Sequence, residues 1–132
     1  MSGFSVYSAQ KVFHFLFGRD ANTMPPGNYL ALCVADPTDE NITANEVSAA
    51  WYARQAVGAW QAPTGTSTTT SNSNQVMFAA VTGSAVTVTH WGIYDAISGG
   101  NLLASDALTA AKVLNVNDVF VVNPGDLTLN FV

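Results

Sequence analysis

The sequence predicts a mainly β protein: an antiparallel β-sandwich or jelly roll of about eight strands with one N-terminal α-helix. Three observations carry that prediction. From residue 29 onward apolar and polar residues alternate with a period near two, the spacing at which successive side chains point to opposite faces of a strand. Turn residues punctuate this pattern at short intervals, as TGSA at 82–85, SGGN at 98–101, Asn117-Asp118 and NPGD at 123–126. Short strands separated in this way build sandwiches and barrels rather than βαβ units. Before residue 20, by contrast, the apolar residues recur at helical spacing.

Taken in order, MSGF at 1–4 is either a clasping arm or a disordered lead. The helix is expected over residues 5–17. Ser5 can cap its start, Gly18 offers a left-handed stop, and Val6, Ala9, Val12 or Phe13, and Leu16 or Phe17 form a stripe. That stripe is expected to lie against a sheet face. MPPGN at 24–28 marks a turn, and strands follow at 29–35, 51–60, 76–81, 86–95, 102–108, 112–116, 119–122 and 127–131. Two polar stretches, 36–47 and the uncharged Ser/Thr/Asn-rich 62–75, read as loops.

The chain's 132 residues fit one domain, 1–132, large enough to hold a core without disulfides or a structural metal. Charged residues make up 10% of it, against about 25% in a typical globular protein, so Ser, Thr, Asn and Gly supply most of the polar surface. Lys11, Arg19, Arg54 and Lys112 stand against nine acidic residues. Four scattered cations cannot neutralise a run of phosphates, which excludes a nucleic-acid partner. No segment has the apolar length of a membrane span, and residues 1–20 lack a signal-peptide pattern. The expectation is a soluble product made in the cytoplasm. Cys33, the single cysteine, lies in the apolar run YLALCVA and reads as a buried small hydrophobe.

The stretch HWGIYDAISGGNLLAS, 90–105, gathers the residue types of a catalytic site. A Ser98, His90 and Asp95 triad fails on geometry, because positions an odd number apart on a strand point to opposite faces. No nucleophile elbow surrounds Ser98. Gly99-Gly100 precedes a strand pattern rather than a helix, so it reads as a hairpin connection and not a phosphate cradle. His14 and His90 lie far apart in sequence without CxxC or HExxH. Asp36, Asp39 and Glu40 lack the ligand spacing of a calcium loop, and Asp36 before Pro37 reads as a turn stabiliser. No catalytic residue, metal ligand or cofactor is expected. Phe4, Trp51, Tyr52, Arg54, Trp60 and Trp91 are the candidate contact residues; aromatic rings serve as core or as interface anchors, and at least one is expected to face a partner.

The succession YLALCVADPTDE, NEVSAAWYARQAV, HWGIYDAISGGNLLASDALTAAKVLNVNDVF and PGDLTLNF resembles a family of small tailed-bacteriophage virion proteins. The likeness runs from the helix to the C-terminus. It implies a structural role, with members described as tail-fibre-like, minor structural or head-decoration proteins, and it brings no catalytic residues. Capsid cement proteins of this size are commonly β-sandwiches or jelly rolls that oligomerise over joints between shell subunits. The resemblance therefore implies a non-enzymatic capsid decoration protein on the virion surface, assembled in the host cytoplasm. Its partners would be the major capsid protein lattice, which it would stabilise by binding the mature state preferentially, and further copies of itself as a dimer or trimer. The alternative is a tail-fibre, baseplate or receptor-binding component. A glycan-binding module or glycan hydrolase is the third reading; the hydrolase would need two carboxylates about 5 to 10 Å apart, and Asp95 and Asp106 are its candidates.

Overall fold

The computed structural model describes residues 3–18 and 25–131. Met1, Ser2 and Met24, the outer residues of the expected N-terminal arm and of the MPPGN turn, lie outside them. Helix α1 spans Val6–Leu16, and Ser5 caps it as expected: its backbone is extended and its Oγ accepts from Ser8 N at 3.1 Å. At the other end Phe17 N donates to Phe13 O, and Gly18 takes a positive φ.

Nine strands appear among the described residues: β1 (Gly3–Phe4), β2 (Tyr29–Cys33), β3 (Gln55–Ala56), β4 (Thr69–Ser71), β5 (Val76–Met77), β6 (Val86–Tyr94), β7 (Leu102–Leu114), β8 (Val121–Val122) and β9 (Thr128–Asn130). All the pairings are antiparallel. One sheet has the order β1-β7-β6-β2-β3, and two ribbons pair β4 with β9 and β5 with β8. The predicted mainly β class with one N-terminal helix is thus what the chain forms.

The main core lies where the sheet and the ribbons supply one cluster. Leu30 and Leu32 of β2, Val88, Trp91 and Ile93 of β6 and Leu114 of β7 pack with Val76, Phe78, Phe120 and Leu127 from the ribbons and their flanks. The run YLALC is continuously apolar because β2 is buried on both faces: Ala31 turns away from Leu30 and Leu32 to join a smaller cluster with Tyr94 and Leu102. Turn chemistry closes the ribbons. In NPGD, Asp126 N donates to Asn123 O at 3.1 Å, and Gly125 at φ +85° supplies the positive φ that the position after proline requires in a type II turn.

Four expectations need correction. Residues 51–60 are not one strand; only Gln55–Ala56 joins the sheet, while Trp51 and Val57 reach the core from irregular backbone. The break expected between 108 and 112 is a register slip within a continuous β7. The ladder passes from Val88↔Lys112 to His90↔Ala107, so Thr89 alone stands opposite residues 108–111. The uncharged segment 62–75 contains β4. It is fixed by Asn72, whose buried amide accepts from Leu127 N at 2.9 Å and donates to Asn74 O and Asn123 O. Lastly, the helix brings only part of its apolar stripe to the sheet side: Val12 is half-buried and lines a groove there with Ile93, Leu103 and Ala104, the one buried helix residue is Ser8, and Val6, Phe13, Leu16 and Phe17 are exposed.

Candidate functional site

The stretch that looked catalytic is a hairpin braced from behind. Loop 95–101 joins β6 to β7, and the Asp95 carboxylate accepts from Asn101 N at 2.7 Å and from Asn101 Nδ2 at 2.9 Å. Gly100, at φ +71°, packs so closely that a Cβ there would stand 2.7 Å from the Ala96 Cβ. His90 sits mid-strand beside Thr89 Oγ1 at 2.8 Å, Ser98 is exposed, and Asp106 accepts from its neighbour Ala107 N. Neither the triad nor the carboxylate pair acquires a shared hydrogen bond among the bonds described. No grouping of three or more metal-ligating side chains occurs among the described residues, and none of their helices is long and apolar enough to cross a membrane.

Arg54 holds the loop. Its guanidinium meets Glu46 through two bonds of 2.8 Å, donates to Ala96 O at 2.9 Å and Gly99 O at 2.7 Å, and lies 3.6 Å from the Tyr94 ring centroid. Burial opposes its charge, but hydrogen bonding to Glu46 and the Glu46 carboxylate outweigh burial and hold its pKa above the ordinary value. Tyr52 completes the network by donating to Glu46 Oε2 and accepting from Leu32 N at 3.2 Å. Burial first, and the Glu46 hydrogen bond second, raise the Tyr52 pKa. Of the six candidate contact residues, Trp51, Trp91 and Arg54 are therefore buried within the chain and Tyr52 is half-buried over the core.

Burial, followed by the nearby Glu46 charge, also pushes the Cys33 thiol from 9.0 up to about 12, and burial pushes Tyr94 up to about 12. In each case the unfolded chain releases its proton first. The stabilisation is complete below the unfolded value and is lost as pH climbs through the folded one. Melting temperature is accordingly expected to fall between pH 9 and 12. Cys33→Ala should shallow the fall near pH 9, and a flat profile to pH 12 would contradict this burial.

The two remaining candidates, Phe4 and Trp60, are half-buried and line a surface groove. Strand β1 pairs with the β7 edge at Gly3↔Ser105 and Phe4↔Ala104, and two serines then set the helix over that edge. Ser5 Oγ donates to Leu102 O and Ser8 Oγ to Leu103 O at 2.7 Å. Because the hydroxyls fix the rotation of α1, its underside with Tyr7 and Val12 faces the groove, an apolar space of about 680 Å³. Phe4, Leu129 and Phe131 form much of its opposite wall, with the Phe4 and Phe131 rings edge to face at 5.0 Å. Trp60 is oriented there by its Nε1–H bond to Asn28 Oδ1 at 2.9 Å.

The last turn of α1 still borders this groove through Phe15 and Leu16. Phe13, Phe15, Leu16 and Phe17 are all more than half exposed; of these, the expected stripe sets Phe13 and Leu16 or Phe17 against a sheet face and does not include Phe15. The signal was present in FHFLF, 13–17, where four large apolar residues in five positions exceed what one buried stripe can absorb. Apolar surface of this kind, outside any site with reactive groups, suits binding rather than chemistry.

A family model described as Podophage GP4 fiber I protein gp80 matches residues 3–130. No curated protein matches the chain.

Proposed function

Because the chain belongs to the podophage GP4 fiber I protein family, a family of phage virion structural proteins, we propose that it is a tail-fibre component of the virion and acts by attachment. The observation that carries this reading is the match over residues 3–130, which takes in the capped helix, the β1 pairing and both ribbons. The family's description supports a fibre over the head-decoration role expected from the sequence, and the preferred partner accordingly moves from the capsid lattice to the tail.

The architecture suits that work. A fibre must keep its shape under load without chemistry to perform, and the Arg54 clamp and the Asn72 staple tie irregular segments to the sheet. Quantitative mass spectrometry of purified particles tests the reading. A handful of copies per particle is the expected result; hundreds of copies, in a fixed ratio to the major capsid protein, would restore the head-decoration role.

A further inference from the structure

The heptad spacing of α1 points outward. Val6 and Phe13 are seven residues apart, as are Ala9 and Leu16, which is the a/d pattern of a helix that packs on another helix. At 3.6 residues per turn this seam is centred about 120° around the helix from Ser8, the residue bonded to the β7 edge. The seam is largely open to solvent, with Leu16 at the rim of the groove: Val6 is 47%, Phe13 61% and Leu16 64% exposed, and the flanking Phe17 is 71% exposed.

We propose that this seam is a self-association surface whose occupant is the α1 helix of a second copy of the same chain. Two observations select that occupant. The first is area: at about 200 Å² for an aromatic side chain, the seam with Phe17 offers roughly 500 Å² per copy. Two copies then bury up to roughly 1,000 Å², the size at which specific interfaces begin. The second is charge. The chain carries a formal net charge of −5, yet residues 3–18 contain no carboxylate and include one basic residue, Lys11. Two acidic chains repel each other least where these helices meet. The small Ala9 between Val6 and Phe13 leaves a hole for a large side chain from the facing helix.

This surface is independent of the fibre assignment, since it concerns copies of the chain in solution. The test is light scattering of the full chain after size-exclusion chromatography, over a micromolar to submillimolar series. The wild type is expected to self-associate, and Phe13→Asp or Leu16→Asp to weaken association by at least about 30-fold, as for an interface hot spot. Phe15→Asp is the control. Phe15 is 70% exposed but lies about 140° from the seam, so its replacement should leave association within about threefold. Each variant changes an exposed side chain, and its thermal midpoint verifies folding. A wild-type monomer throughout the series, or equal weakening by Phe15→Asp and Leu16→Asp, would overturn the proposal.

Discussion

Arg54→Met is expected to destabilise the fold by about 3–5 kcal/mol, the usual cost of removing one member of a buried ion pair. Arg54 is 6% exposed and Glu46 15%, so the abandoned carboxylate would keep its Tyr52 bond and lose its cation. Three further losses fall on the same substitution. The carbonyls of Ala96 and Gly99 lose their donor, Tyr94 loses the guanidinium over its ring, and the loop joining the two longest strands is released. Lysine is a poor substitute, because its single ammonium cannot meet both Glu46 oxygens while also reaching two carbonyls. Urea denaturation followed by tryptophan fluorescence measures the effect. A loss below about 1 kcal/mol would mean that the pair behaves as a surface salt bridge and that the loop is held by its own turn.

Phe78→Ala is the second large effect, at about 3–5 kcal/mol. Phe78 stands between Tyr52, stacked at 6.1 Å, and Phe120, edge-on at 5.9 Å. Its backbone also donates to Phe120 O at 3.0 Å just beyond the two-residue β5–β8 pairing. A ribbon so short has little stability of its own, so deleting the ring both opens a cavity and loosens the ribbon from the sheet. Calorimetry should show a lower midpoint and amide exchange should show faster opening around residues 76–78 and 120–122. Phe78→Leu, which keeps most of the apolar volume, is expected to lose less. Equal losses for the two variants would point to the aromatic contacts rather than the volume.

The parts of this fold that were legible in the sequence are those fixed by local chemistry. Ser5 and Gly18 bounded the helix, Pro124-Gly125 marked a turn, and the alternation in VTVTHWGIY identified β6, because each depends on residues close in sequence. The parts that were missed depend on distant partners. Thr69–Ser71 becomes a strand only because β9 lies beside it, and nothing in an uncharged Thr/Ser run announces that. The rotation of α1 was missed for the same reason. Periodicity predicts that a stripe of Val6, Ala9, Val12 or Phe13, and Leu16 or Phe17 turns inward, but hydroxyls of Ser5 and Ser8 reach the carbonyls of β7, about a hundred residues away, and set a rotation that turns Val12 to the groove and leaves Val6, Phe13 and Phe17 outward. The candidate contact residues show the limit of residue type alone. A large aromatic or arginine side chain fits a core as well as an interface, and only the fold separated buried Trp51, Trp91 and Arg54 from Phe4 and Trp60 in the groove wall.

The proposed role rests on where the chain sits in the particle. Electron microscopy of intact virions labelled with a gold-conjugated antibody against this chain tests that most directly. Label clustered at the tail, at fibre positions, is the predicted result; label spread over the capsid shell would contradict the fibre assignment.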